Sequence, residues 1–487
     1  MLLALLSCTD PCAEGFARAN DGSCQPLDDG TSKPGDSSPE TDTGDPPDDT
    51  GDPPAATLEY GDPITRVGYV KEGFKEWMDA IVVSETRVLA AGVTGIGWYS
   101  IEGGTPELLY EDNPHRTYRL DLDTSTDRAY FASRDGPLII VDDVAEDDPK
   151  YTDRVWLQDM GFHEDIAADG GVVMVGWLSD GLRIFDHDLQ AITTIEAEMA
   201  FGVALEGDRG LYTDGSALIL LDMSHAAEPV ELDRTELRTI GRDIAFDGSR
   251  IAVALGGEGV DVFDLVDDEL VKTGELEVPG SAFGVTLDGD WLWIGAWEVA
   301  ALAWLGGEEP VIVGHEDPVQ SAMGIGAKDG IVAVADWGAM TILQHQDGVG
   351  GPEFHDPSPV WIDPNTQETS ELEFTNYGAM DMELQVSPTS GWELDEDSLV
   401  LAPGESGYLT MTPPIDVPEL ALFTVTTNDP DEEEITVQVQ AKSTQAGSEH
   451  ADFSLLGYTP PDTGTVETYT LSDYRGTVVL LDYFTTW

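Results

Sequence analysis

Asp243 to Leu265 reads DIAFDGSRIAVALGGEGVDVFDL, and Gly284 to Leu305 reads GVTLDGDWLWIGAWEVAALAWL. In both, an apolar opening leads to a polar turn, then to a strongly apolar run, then to a third run rich in β-formers. Five related stretches surround them: DAIVVSETRVLAAGVTGIGWYS from Asp79, LDLDTSTDRAYFASRDGPLIIVD from Leu120, EDIAADGGVVMVGWLSDGLRIFD from Glu164, GVALEGDRGLYTDGSALILLD from Gly202 and GIGAKDGIVAVADWGAMTILQ from Gly324. The apolar residue that opens each copy is Ala80, Leu120, Ile166, Val203, Ile244, Val285 or Ile325, so successive copies are 40, 46, 37, 41, 41 and 40 residues apart. A period near 40 residues is one supersecondary unit repeated. Asp-Gly pairs at Asp169, Asp247, Asp288 and Asp329 break the alternation and predict hairpins of type I′.

Each unit therefore reads as three or four antiparallel strands. One such sheet leaves apolar residues on both faces, and seven packed radially cover them while keeping every edge short. An array of sandwiches has no need of so even a period. The last copy lacks a fourth strand after MTILQHQDG, and PITRVGYV, from Pro63 to Val70, stands before the first copy, so Ile64 to Val70 is expected to pair with the Ile331 to His345 unit and close a ring.

The third strands, LIIVDDV, LRIFDHD, LILLDMS and VDVFDLV, resemble those of the LVIVD-repeat β-propellers of bacterial surface proteins, where such a strand precedes a turn and a Pro-containing segment like AAEPVEL. The resemblance implies architecture over about 290 residues and is almost silent on activity. Asp79, Arg119, His163, Asp165, Arg242 and Asp243 stand just before the innermost strands and are expected to line the central channel. Two readings apply to them: a ligand site, and the polar lining of a water-filled channel, the second being favoured. The run DLDTSTD from Asp121 spaces its carboxylates like a Ca²⁺ loop but lacks the Gly and the distal Glu, so it reads as a hairpin turn.

From Ser370 the pattern changes to seven short alternating strands with turns at Tyr377-Gly378, Pro403-Gly404 and Asn428-Asp429-Pro430. It resembles bacterial Ig-like modules with an L-x-P-G turn and a T-N-D-P hairpin, which are spacers and contact surfaces. The closing stretch, ADFSLLGY from Ala451 and YTLSDYRGTVVLLDYFTTW to Trp487, resembles the start of thioredoxin-like redoxins. There a segment like Asp452-Phe453-Ser454-Leu455 is followed by one like Leu471 to Gly476 and by a doubly buried strand such as Val478 to Leu481. In those proteins the residue after the one matching Trp487 is the attacking cysteine of Cys-x-x-Cys, placed at a helix N-terminus that favours thiolate. Ala451 departs from the proline usual in the family. The expectation is a redoxin lead-in cut before its site, by a stop codon read as selenocysteine or by an assembly break.

The only cysteines are Cys8, Cys12 and Cys24. LLALLSC resembles a lipobox, which implies a lipid on Cys8, and Cys12 and Cys24 bracket a short turn-rich loop that a disulfide would close in an oxidising compartment. Residues 28 to 54 are rich in Asp, Pro, Gly, Ser and Thr, without one apolar side chain, and read as a self-repelling tether. With 22 basic and 95 acidic residues the net charge is −73, which excludes nucleic acid as a partner.

The expected class is thus all-β: a signal remnant at 1–8, a disulfide loop at 9–27, a linker at 28–57, a seven-bladed propeller at 58–350, an Ig-like β-sandwich at 353–442, a linker at 443–450, and an incomplete α/β thioredoxin-like segment at 451–487. The expected protein is extracytoplasmic, lipid-anchored in the cell envelope or at the cell surface. Its complete form carries a thiol or selenol redox domain, while the given chain has no catalytic residue and implies no cofactor. The alternative is a non-enzymatic surface scaffold whose propeller binds a protein or small molecule.

Overall fold

The computed structural model describes residues 63–441, except for 72–75, 113–115, 134–135, 145–149, 156–162, 179–180, 308, 347–349, 364–368 and 430–431, together with short strands at 16–18, 24–26, 454–457 and 467–470. Cys8, expected to carry a lipid, Cys12, expected to pair with Cys24, the expected tether and the expected strand at 478–481 lie outside the described residues. Phe16–Arg18 pairs with Cys24–Pro26, and Ser454–Gly457 with Glu467–Thr470, each antiparallel. No helix occurs among the described residues, and none is long and apolar enough to cross a membrane.

Seven four-stranded sheets follow one another along the chain. Six open with Trp77–Ser84, Thr117–Asp123, His163–Asp169, Ala200–Glu206, Asp243–Phe246 and Gly284–Asp288, and each then adds its next three strands in antiparallel order. The seventh opens with Gly324–Lys328 and adds Ile331–Asp336 and Ala339–His345; its fourth strand is Ile64–Lys71, with Ile64 opposite His345 and Lys71 opposite Ala339. The opening strands contact one another in a cycle that returns from Gly324–Lys328 to Trp77–Ser84. This ring of small radial sheets is a β-propeller.

The cores lie between neighbouring sheets. Trp77, Val88, Ala90 and Tyr99 of the first sheet are fully buried against Ala333, Ala335, Met340 and Ile342 of the seventh. Second strands such as Arg250–Ala254 and Ile331–Asp336 are covered on both faces, which is why they read as unbroken apolar runs. Fourth strands such as Val230–Glu236 are largely exposed, and their sequences are polar.

The turns differ in part from the type I′ expectation. Asp329 and Gly330 both have positive φ (52° and 78°), as type I′ requires. At Asp247-Gly248 and Asp288-Gly289 only the glycines do (92° and 65°). The aspartates there serve as acceptors: the Ser249 and Arg250 amides donate to Asp247 Oδ1 (2.8 and 2.7 Å), a side-chain turn formed beside the backbone bond from Asp247 N to Arg250 O (3.2 Å). Likewise Asp123 Oδ1 accepts from the Ser125 and Thr126 amides (2.9 and 3.3 Å), so DLDTSTD folds as a hairpin turn.

Residues 353–441 form a second unit of eight strands: the seven expected from Ser370 onward, with the two-residue strand Glu393–Leu394 beside Ser406–Thr412, and Val360–Ile362 before them. The other sheet has five strands, with Val360–Ile362 parallel to Glu434–Ala441. Phe374, Leu409 and Met411 of one sheet share a core with Leu384, Phe423 and Val437 of the other. This unit meets the ring at the sixth sheet, where Glu353 Oε1 lies 3.3 Å from His315 Nδ1 and His355 Nε2 lies 3.1 Å from Glu298 Oε2.

Candidate functional site

The ring's chemistry starts from one position, the residue before each opening apolar residue. In chain order it holds Asp79, Arg119, Asp165, Gly202, Asp243, Gly284 and Gly324. An aspartate there has a short side chain beside its own strand and beside the next one. Asp79 Oδ1 accepts from Ala80 N (2.9 Å) and its Oδ2 from Leu120 N of the second sheet (3.1 Å). Asp165 accepts from Ile166 N (2.9 Å) and from Val203 N of the fourth sheet (2.8 Å), and Asp243 from Ile244 N (2.9 Å) and from Val285 N of the sixth (3.0 Å). Each carboxylate thus ties its sheet to the next one.

Arg119, from the second sheet, reaches across the ring. Its Nη1 lies 3.5 Å from Asp243 Oδ2 of the fifth sheet and 3.9 Å from Asp79 Oδ1 of the first, and its Nη2 donates to Phe283 O of the sixth (2.8 Å). Burial opposes the charge on this guanidinium, but Asp243, Asp79, Asp165 and Glu164 outweigh it and hold the arginine above its ordinary pKa. Burial is also the largest influence on Asp79. It raises that carboxyl to about 7, with Arg119 pulling down and Asp243 pushing up. Asp165 is raised well above the carboxylate range by burial first and Asp243 second.

A cavity of about 420 Å³ runs from these carboxylates toward the far ends of the opening strands, where Asp169, Glu206, Asp247 and Lys328 line it. Asp121, with a pKa raised to about 6 by burial, faces this cavity and accepts from Leu122 N (2.8 Å) and from Ala168 N of the third sheet (2.7 Å). Gly171 N donates to Asp123, Gly207 N to Asp169 and Gly330 N to Asp288 in the same way, from one sheet onward to its neighbour.

The structure therefore brings together four of the six residues singled out from the sequence, Asp79, Arg119, Asp165 and Asp243. The other two sit apart. His163 is buried, its Nδ1 against Ser133 O and its ring edge-on to Trp177 at 4.4 Å between centroids; burial lowers its pKa. Arg242 lies outside the carboxylate cluster, with its guanidinium carbon 5.1 Å from the centre of the Phe283 ring. Sequence reasoning missed Asp121, Asp123, Asp169 and Asp288 as ties between sheets. The available signal was periodic: bond partners such as Asp79 and Leu120, or Asp243 and Val285, are one repeat apart.

No protein-family model matches the chain, and no curated protein matches it in sequence. Among solved structures it is similar to the WD40 β-propeller domain of Doa1, at 12% identity and a TM-score of 0.48 over 58% of this chain and 97% of that one. The β-propeller domain of Cps50 (Swd1) of Myceliophteria thermophila gives 11% and 0.48 over 58% and 100%. The computationally designed Ika8 protein gives 12% and 0.44 over 58% and 99%.

Proposed function

We propose that the chain is a non-enzymatic binding protein, a seven-bladed propeller of the LVIVD-repeat type carried with an Ig-like sandwich and held outside the cytoplasm by a lipid on Cys8. The observation that carries this reading is how the channel carboxylates are used. Asp79, Asp165 and Asp243 each commit one oxygen to their own strand and the other to the neighbouring sheet, and Arg119 braces them. A carboxylate oxygen can accept more than one hydrogen bond, but with both oxygens of each group already on backbone amides of two sheets, these aspartates serve as fasteners of a platform. The measurement is the melting temperature of the Asp165→Asn and Asp243→Asn variants. Both are expected to melt several degrees lower. Variants that melt like the parent while losing a catalysed reaction would overturn the scaffold reading.

A second reading, a thioredoxin-like redox domain in the complete protein, is favoured by one observation: Ser454–Gly457 and Glu467–Thr470 form an antiparallel pair directly before Leu471 to Gly476. Sequencing the transcript past codon 487 tests it. A UGA or cysteine codon followed by x-x-Cys and a redoxin pattern is expected, and any other continuation removes it.

A further inference from the structure

We infer that the end of the ring at which the opening strands begin holds a binding site for a small organic carboxylate with a flat apolar body, with Arg242 as the anion's partner. This names a ligand class for the platform proposed above and rests on that reading.

The starting point is the state of Arg242 in so acidic a chain. Arg128, Arg209, Arg234, Arg238 and Arg250 each lie within 3.0 Å of a carboxylate. Arg242 is half-buried, and among the described residues its side chain makes no hydrogen bond or ion pair. A guanidinium carries five donors in a planar fork. Leaving them unmatched is costly where water is partly excluded. The backbone fixes where the fork sits: Arg242 N donates to Ala254 O (2.8 Å), the chain stacks on Phe283, and Gly256, at φ 64°, leaves the room beside it. A Cβ there would stand 3.1 Å from Arg242 Nε. Burial first, then Arg119, lowers the Arg242 pKa, with Glu164 opposing, and a bound anion would relieve both penalties.

Beside the fork lies an aromatic ledge. Phe283 is 5.6 Å from Trp297, and Trp297 6.1 Å from Trp337, centre to centre; all three are half-buried. Trp297 and Trp337 have positive φ (60° and 39°), an uncommon conformation for a bulky residue, which persists only where its surroundings over-determine it. They do so here: Trp297 and Ala322 exchange two backbone hydrogen bonds (2.9 and 3.0 Å), and Trp77 N donates to Trp337 O (2.6 Å). Two half-buried tryptophans are thus held in costly backbone geometry on this ledge. A cationic ligand, the natural guess for a chain of this charge, fits worse. The channel carboxylates have their oxygens on backbone amides and are braced by Arg119, and Arg242 already occupies the face of Phe283. The overall negative charge is screened beyond about 8 Å at physiological salt, so the nearest guanidinium decides.

The test is calorimetric titration of the full chain with 2-naphthoate and with 2-naphthylmethylammonium. Naphthoate is expected to bind and the ammonium not. Arg242→Gln should weaken naphthoate at least about tenfold with an unchanged melting temperature, and Arg242→Lys should keep part of the affinity because charge survives without the fork. Trp297→Ala should weaken it too. The inference is overturned if the ammonium binds as tightly, if Arg242→Gln binds like the parent, or if the parent shows no naphthoate binding at millimolar concentration. That last result, with Asp165→Asn and Asp243→Asn still lowering the melting temperature, would overturn the ligand class alone and leave the scaffold reading standing.

Discussion

At one position in the repeat the first, third and fifth sheets carry aspartate, whereas the fourth, sixth and seventh carry glycine, and the two groups join their neighbours by different physics. Asp79, Asp165 and Asp243 span the gap with a carboxylate. Gly202, Gly284 and Gly324 let backbone approach backbone directly. A Cβ would stand 2.9 Å from Gly324 Cα if added at Gly284, and 2.5 Å from the Met78 carbonyl oxygen and 2.6 Å from Asp79 Cα if added at Gly324. The second sheet, with Arg119 at this position, uses Asp121 two residues on to reach Ala168 N. Glycine thus buys proximity, and aspartate bridges where proximity is lacking.

The comparison breaks most easily at the seventh sheet, where the ring closes. Gly324→Ala places its methyl against two backbone groups that belong to the first sheet and cannot swing away. We expect a loss of about 3 kcal/mol in a urea melt, at the upper end for overpacking. Unchanged stability would mean that the two sheets do not approach as described.

A carboxylate junction should yield less. Asp121→Ala leaves the Leu122 and Ala168 amides without their acceptor, at a cost of roughly 1–3 kcal/mol for partly buried donors. Asp121→Asn, which keeps an acceptor oxygen, should recover part of it. If the two variants melt alike, the bonds to Asp121 are not what joins the second sheet to the third.

Acidity should sharpen the same contrast. Asp79 is raised to about 7, Asp121 to about 6, and Asp165 well above the ordinary range, each chiefly by burial. A carboxyl whose folded pKa exceeds its unfolded one binds more protons when folded, so stability from these groups is complete below about 4 and is lost as pH rises through the folded values. The melting temperature is expected to climb by several degrees from pH 7.5 to 5.5. Asp79→Asn should flatten the climb, and the glycine junctions contribute nothing to it. A melting temperature that falls over this window would contradict the burial of these carboxyls.

Much of the fold was legible because burial on both faces writes itself into composition. Runs such as IAVAL at Ile251 and IVAVA at Ile331 could only be strands covered twice, and the Pro63 to Val70 segment found its place by the want of a strand at the other end. The site was legible only in part. Position in the repeat located Asp79, Arg119, Asp165 and Asp243, but a side chain's direction depends on partners a whole repeat away, so His163 against Trp177 and Arg242 on Phe283 could not be read from the chain. The aromatic ledge left a faint mark, Trp297 and Trp337 standing one repeat apart after Ala296 and Asp336.

The smallest effect is expected at Gly202, and it tests whether glycine at this position always means contact. A Cβ there would stand 3.1 Å from Ile244 Cγ1 and 3.2 Å from Asp243 Cα, tight but not impossible, and the nearest atom belongs to a side chain that can shift. Against the crowding, alanine narrows the unfolded ensemble, worth about 0.4–1 kcal/mol wherever its backbone angles are unstrained, and Gly202 is not among the positive-φ glycines. The two terms nearly cancel, so Gly202→Ala should change the unfolding free energy read from a urea melt by less than about 1 kcal/mol in either direction. A loss as large as that of Gly324→Ala would show the fourth and fifth sheets to be joined as closely as the seventh and first.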